Sequence, residues 1–173
     1  MQTTLQQTVE GAGAERQQYL TFRLGEETFA MPILMIKEIL EYPELTRVPL
    51  MASCVRGVLN LRGRVVPVVD LAVRFGRPES EPTRRTCVVI VEVQADEEQL
   101  DIGLIVDGVN QVIEIPAADI EPPPTFGARL RTDFIRGMGK VNGTFVVILD
   151  GGTVLSISEI AALGQEAEQS TAA

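Results

Sequence analysis

Hydrophobic and polar residues alternate over short stretches of this chain, a pattern typical of β-strands that are buried on one face. Two such stretches cover residues 19–24 and 28–33, and the glycine and glutamates between them predict a tight turn. Four more apolar runs are rich in β-branched residues and too short for most helices, at residues 65–71, 86–93, 100–106 and 145–149. Helix is predicted only as one turn near Ala52 and as a short C-terminal helix from Ser158 to Leu163. The pattern therefore predicts an all-β protein.

The apolar pattern occurs twice along the chain. Residues 55–70 read VRGVLNLRGRVVPVVD, residues 135–150 read IRGMGKVNGTFVVILD, and five positions are identical at an offset of 80. A second similarity, at an offset of 73, relates residues 29–33 to residues 102–106. Two copies are too few for a solenoid. The duplication instead predicts two small barrels of about five strands each, related by an approximate twofold axis.

Changes in composition suggest where the domain begins and ends. Residues 1–16 and 164–173 are polar, lack periodicity and are expected to form a flexible arm and a flexible tail. The domain is therefore assigned to residues 17–163. Because residues 76–85 resemble a linker, the barrel halves are placed at about 17–78 and 79–155, with the possibility that a strand crosses between them.

Composition excludes several classes of function. The chain of 173 residues has a net charge of −9 and contains no histidine. The acidic charge argues against nucleic-acid binding and against a polybasic membrane surface. Three arginines near Gly57 are the exception to this acidic balance. The absence of histidine removes Ser/His and Cys/His catalytic pairs and histidine metal sites. With no apolar run of the roughly 20 residues needed to span a membrane and no signal peptide, the protein is expected in the cytoplasm, with Cys54 and Cys87 as buried free thiols.

Carboxylates are the remaining candidates for catalysis. Asp70, Asp107 and Asp150 each follow an apolar run, so a duplicated β protein could pair two of them as aspartic proteases do. None is followed by the Thr-Gly or Ser-Gly of such a dyad, and strand-end aspartates that bond turn amides are the favoured interpretation. We therefore predict no catalytic residue, metal ion or cofactor.

Some residues are candidates for contact with a partner protein. Strand alternation places Ile36, Glu38 and Leu40 on one side and Lys37 with Ile39 on the other, which suits either a binding strand or a half-buried barrel strand. Arg62 lies on a predicted turn, where it can form a local salt bridge or face a partner carboxylate. Val109 and Val112 fit either the core or an exposed site, and these alternatives remain open at this point.

Taken together, these segments resemble the CheW family, the coupling proteins of bacterial chemotaxis. The resemblance runs from Gln18 to about Leu163 and includes YLTFRLGEETFAMPI, IKEIL, TRVP, VRGVLNLRGRVVPVVDLAVRFG, TCVVIVEV, LDIGLIVDGVNQVIEIP and FIRGMGKVNGTFVVILD. It implies two intertwined five-stranded SH3-like barrels without catalytic activity or cofactors. It also implies an adaptor, monomeric in isolation, that links the cytoplasmic tip of methyl-accepting receptors to the regulatory domain of the histidine kinase CheA in membrane receptor arrays. An adaptor of another chemosensory pathway, such as one controlling pili or gliding, remains the alternative.

The resemblance also implies roles for particular residues. The kinase-contact positions of the family fall on Ile36, Glu38, Gly57 and Arg62. Positions associated with the receptor, which inserts a helical tip into a groove between the barrels, fall on Val109 and Val112. Phe126 matches an aromatic ring contact of the array, whereas Glu121 stands where some relatives have a neighbouring basic residue, so that ring contact is expected to be weak or reversed in charge.

Overall fold

The computed structural model describes residues 16–49, 51–79, 81–95, 97–123 and 134–156, and these residues form eleven strands. The strands are β1 Arg16–Leu24, β2 Glu27–Pro32, β3 Ile36–Glu41, β4 Val55–Leu61, β5 Arg64–Asp70, β6 Cys87–Ala95, β7 Glu98–Val106, β8 Gly108–Pro116, β9 Ile120–Glu121, β10 Ile135–Val141 and β11 Thr144–Leu149. Two short helices are α1 Leu71–Arg74 and α2 Gly151–Val154, and single 3-10 turns occupy Ile33–Met35 and Ala117–Asp119. The all-β prediction is confirmed, whereas the C-terminal helix predicted from Ser158 lies outside the described residues.

The strands form two sheets whose strand orders correspond to each other. The first sheet has the order β8-β1-β2-β11-β10-β9, and the second has the order β3-β6-β7-β5-β4. Strands β3 to β7 are consecutive and make up the whole second sheet, while the first sheet takes its strands from both ends of the domain. The halves placed at about 17–78 and 79–155 are repeats of sequence, and the crossing left possible between them is present. The first hairpin of each half, β1–β2 and β6–β7, pairs with strands of the other half.

Pairing registers show that the two sheets are equivalent strand by strand. Ala30 of β2 pairs with Ile148 of β11 in parallel, and Gly103 of β7 pairs with Val68 of β5 in the same way. These two pairs are related by the sequence offsets of 73 and 80. The bulge between Val55 and Gly57 recurs between Ile135 and Gly137. The pseudo-twofold relation predicted from the duplication is thus present down to the register.

Apolar side chains form a small core within each sheet and a larger one between the sheets. The core of the five-stranded sheet consists of Leu59, Leu61, Val66, Val68, Val88, Ile90 and Ile105. The core of the six-stranded sheet consists of Tyr19, Ala30, Ile115, Val146 and Ile148. The largest cluster combines residues of both sheets, among them Phe22, Phe29, Met31, Val91 and Leu104. Because interiors pack densely and deform little, this shared core makes the two sheets one mechanical body.

Candidate functional site

Glu38 and Arg62 meet on the surface of the five-stranded sheet. Glu38 lies on β3 and Arg62 on the β4–β5 turn, at opposite edges of the sheet, so the sheet must curl for them to touch. Arg62 Nη1 lies 2.8 Å from Glu38 Oε1, and Arg62 Nη2 donates to Glu38 Oε2 at 3.0 Å, which is a bidentate ion pair. The hydrogen bond and charge of Glu38 raise the pKa of Arg62. The Arg62 side chain nevertheless stays 70% exposed, so it forms the local salt bridge and also faces solvent.

Exposure alternates along β3, but a bulge between Ile36 and Glu38 interrupts the strict two-sided alternation predicted from the sequence. Ile36, Glu38 and Leu40 are half-buried, while Lys37 and Ile39 are exposed. Ile36 packs against the core shared by the two sheets, and Leu40 packs against the core of the five-stranded sheet. The backbone around Glu38 is therefore anchored on both sides.

Gly57 is buried beneath a neighbouring segment of backbone. A Cβ at this position would lie only 2.6 Å from the carbonyl oxygen of Thr46. Thr46 also exchanges two backbone hydrogen bonds with Val58, at 2.8 and 2.9 Å. Glycine is thus required for the close approach of these two segments, and Gly57 offers a partner no side chain.

A second charged cluster, which was not predicted from the sequence, includes Lys37, the residue that precedes Glu38 on β3. Asp101 of β7 accepts hydrogen bonds from Lys37 Nζ at 3.1 Å and from Arg64 Nη2 at 2.6 Å. Its side chain is only 7% exposed. Burial alone would raise the pKa of Asp101, but the hydrogen bonds and charges of Lys37 and Arg64 outweigh it and hold that pKa below its ordinary value. The available signal was a charged residue inside the apolar run of β7.

Val109 and Val112 lie on β8, the strand equivalent to β3. Val109 is half-buried and packs against the shared core, in the place that Ile36 takes on the other sheet. Val112 is 47% exposed. The sequence left open whether these valines are core or surface residues. Val109 belongs with the core, and Val112 is available at the surface.

Of the two residues associated with ring contacts, Phe126 lies outside the described residues. Glu121 ends the short strand β9, is exposed, and pairs with Met138 of β10. With Pro122, Met138 and Phe145 it lines an open cleft of about 260 Å³. This edge combines a carboxylate with apolar side chains.

The three aspartates considered for a catalytic dyad have local structural partners. Asp70 is 1% exposed, forms an ion pair with Arg56 and accepts the backbone N–H of Ala72 at 3.0 Å, which caps α1. Asp107 accepts the backbone N–H of Gly25 at 2.6 Å. Asp150 precedes α2, and its own N–H donates to the Phe134 carbonyl oxygen at 2.8 Å. Strand-end aspartates that bond turn amides were predicted, and this is confirmed for Asp70 and Asp107.

Other candidate chemistry is limited in the part of the chain that the structure describes. Both cysteines are free, Cys54 buried and Cys87 half-buried, and burial raises the pKa of each thiol. The described segments contain no group of three or more Cys, Asp or Glu side chains arranged to hold a metal ion. None of their helices has the length and apolarity needed to span a bilayer.

Comparison with known proteins agrees with this architecture. The family model of the CheW-like domain matches residues 18–159. The chemotaxis protein CheW of Klebsiella aerogenes is 33% identical over 145 residues, covering 84% of this chain and 85% of that protein. Protein PilI of Pseudomonas aeruginosa is 34% identical over 120 residues, covering 68% of this chain and 64% of PilI.

Among solved structures, the scaffolding protein TtCheW of Thermoanaerobacter tengcongensis superposes with a TM-score of 0.70 at 31% identity, covering 79% of this chain and 90% of that one. The two-sheet β architecture and the similarity to a scaffolding protein define the class as a scaffold or adaptor protein. The chain belongs to the CheW-like domain family.

Proposed function

We propose that this protein is a non-catalytic adaptor that couples the cytoplasmic tip of methyl-accepting chemoreceptors to the regulatory domain of the histidine kinase CheA. Its place would be the cytoplasm, from which it is recruited as a monomer to receptor arrays at the membrane. Membership of the CheW-like family supports an adaptor role, and no nucleic acid or membrane insertion is required.

The observation that carries this proposal is the placement of two different surfaces on one body. The five-stranded sheet presents the charged Glu38–Arg62 pair, and the six-stranded sheet presents Val112 at the equivalent strand. A core shared by both sheets joins them. Such a body can hold two partners in a fixed relation, so a shift of one partner biases the conformational equilibrium of the other.

We assign the kinase to the surface of Ile36, Glu38 and Arg62. The exposed guanidinium and its carboxylate can exchange partners with charged groups of the kinase. Gly57 acts on this surface indirectly, because the absence of a side chain lets the backbone around Thr46 pack closely against β4.

We assign the receptor tip to the surface of β8, where Val112 supplies an exposed contact and Val109 supports it from the core. Glu121 and Phe126 are assigned to contacts within the array ring.

The charged surface assigned to the kinase adds a further check, because association at charged interfaces slows as the salt concentration rises.

A second candidate is an adaptor of another chemosensory pathway, such as one controlling pili or gliding. The similarity to protein PilI of Pseudomonas aeruginosa favours keeping it. The two candidates differ in which kinase and receptor bind, and they share the same surfaces.

The test is capture by the immobilised full chain of the CheA regulatory domain and of a receptor signalling fragment from the same organism, singly and together. The proposal predicts that each partner binds alone and that both are retained in one complex. Binding of neither contradicts the chemotaxis assignment, and capture of the kinase and receptor of a pilus pathway instead would establish the second candidate.

A further inference from the structure

We infer that Asp101 is a positioning residue that fixes the Glu38–Arg62 pair in the geometry the kinase meets. This inference rests on the proposed function, because it deepens the description of the same surface. Asp101 itself would touch no partner, since its side chain is only 7% exposed.

The carboxylate of Asp101 links two segments of the five-stranded sheet, β3 and the start of β5. Lys37 immediately precedes Glu38 on β3, and Arg64 begins β5 just after the turn that carries Arg62. Both cations donate to the same Asp101 carboxylate, at 3.1 and 2.6 Å. Asp101 lies on β7, the central strand, whereas β3 and β4 are the two edges. One carboxylate therefore holds both segments whose side chains form the exposed pair.

Both Lys37 and Arg64 are needed to offset the negative charge around Asp101. Glu92 of β6 is the direct cross-strand neighbour of Asp101, and like charges opposite each other are destabilising. Lys37 Nζ lies 3.6 Å from Glu92 Oε1 and so offsets both carboxylates. Because a buried carboxylate is costly without partners, neither Lys37 nor Arg64 can move away freely.

The other sheet provides an internal comparison. At the positions equivalent to Asp101, Lys37 and Arg64, the six-stranded sheet has Thr28, Asn110 and Thr144, and at those of Glu38 and Arg62 it has Gln111 and Asn142. No charged cluster can form from these five side chains. All five line an open cleft of about 480 Å³. The Asp101 cluster is thus a feature that distinguishes the five-stranded sheet from its counterpart.

The first arm of the test uses the free protein and does not depend on any partner. Phenylglyoxal modifies exposed arginines, and the rate at Arg62 is measured by peptide mass spectrometry against Arg84, an exposed arginine remote in sequence from the cluster. Asp101→Asn is expected to speed modification of Arg62 relative to Arg84, and Asp101→Glu is expected to retain the wild-type ratio. An unchanged ratio in Asp101→Asn would overturn the inference.

The second arm is calorimetric titration with the kinase regulatory domain. Asp101→Asn is expected to raise the Kd about fivefold, as coupled neighbours in one network do, while Asp101→Glu binds nearly as the wild type. In an Arg62→Asn background the same change should add nothing, because its effect passes through Arg62. An equal loss in both backgrounds, or no loss in either, contradicts positioning. Failure of the wild type to bind the kinase would contradict the proposed function instead, and the modification rates would still decide the role of Asp101.

Discussion

Arg62 and Asn142 occupy the same place in two equivalent hairpins, and the comparison explains why Arg62 is of interest. Both residues have φ of 52°, and the glycine after each has φ above 80°, as the two-residue turns of β-hairpins require. Asparagine tolerates this conformation, whereas arginine is unusual there. Arginine is therefore present despite its backbone preference, which is consistent with selection for its exposed guanidinium.

The substitution Arg62→Asn is expected to remove the kinase contact and keep the fold. Asn142 shows that this chain builds the same turn with asparagine. Loss of the guanidinium should raise the Kd for the kinase regulatory domain about tenfold or more, as truncation of a central interface arginine does. Arg84→Asn is the matched control. Calorimetric titration with an unchanged Kd for Arg62→Asn would remove Arg62 from the binding surface.

Val112 is the more informative of the two valines assigned to the receptor. Because Val112 is 47% exposed, Val112→Asp should leave the fold intact and weaken binding of the receptor fragment about tenfold or more, since a charge would enter an apolar contact. Val109→Asp is a poorer choice, because Val109 packs against the core.

The control for Val112 is Val65→Asp on the other sheet, which makes the same chemical change at a side chain that is 74% exposed. Sedimentation of labelled receptor fragment measures both variants. Equal affinity of Val112→Asp and wild type, or an equal loss in Val65→Asp, would contradict a receptor site on β8.

The sequence left open whether Arg62 forms a salt bridge or faces a partner. The structure shows that Arg62 pairs with Glu38, 24 residues away along the chain, and still remains exposed. The role of Asp101 was not predictable, since Lys37 and Arg64 are 64 and 37 residues away along the chain. Only the pairing of β3 with β6, of β6 with β7 and of β7 with β5 brings these charges together.

At the scale of elements, the β4–β5 and β10–β11 hairpins followed directly from the duplicated sequence. Strand β8 gave a weaker signal, because only two of its nine residues are buried and they do not alternate cleanly with exposed ones. It lies at the edge of its sheet and pairs with β1, about ninety residues earlier. Alternation of apolar and polar residues identifies which side of a strand is buried. An edge strand that pairs only with one distant strand shows little of this alternation.

Gly57→Ala is expected to loosen the contact between β4 and the segment around Thr46. A Cβ would approach the Thr46 carbonyl oxygen to 2.6 Å, and backbone must shift to relieve it. Overpacking of this kind costs about 1–3 kcal/mol in the free energy of unfolding. Urea denaturation followed by circular dichroism measures the change.

Gly152→Ala is the control for this prediction. Gly152 is exposed in α2, where an added Cβ meets only Asp150 Oδ1 at an ordinary 3.5 Å. Alanine is favoured over glycine in helices by about 1 kcal/mol, so this variant should be neutral or slightly more stable. A Gly57→Ala protein as stable as wild type would show that the close approach is easily relieved.

For the whole molecule, the dominant feature is that the largest core belongs to neither sheet alone. The hydrophobic pattern showed that β2 and β7 are buried, but not which strands they pack against. The halves were therefore placed only approximately, with a strand crossing left possible, and the structure shows that whole hairpins cross. Exchange of the β1–β2 and β6–β7 hairpins between sheets leaves every local pattern unchanged, so sequence periodicity cannot reveal it.

The shared core predicts that both sheets unfold together. The chain has two tyrosines and no tryptophan; Tyr19 lies in the core of the six-stranded sheet and Tyr42 packs against the core of the other. Tyr42→Phe and Tyr19→Phe thus leave one fluorescent reporter in each sheet. In urea, each fluorescence transition should coincide with the circular dichroism transition of the same variant, as two-state unfolding requires. A fluorescence midpoint that departs from the circular dichroism midpoint would mean that the sheets unfold separately.

Coupling by contact predicts that receptors control the kinase only through this protein, and a reconstituted kinase assay measures that control. Autophosphorylation of full-length CheA is measured with receptor signalling fragments, with and without this protein. We expect receptors to change the kinase rate only when wild-type protein or Arg84→Asn is present, and both Arg62→Asn and Val112→Asp to abolish that change. A receptor effect of the same size without this protein, or full coupling by both surface variants, would contradict the account.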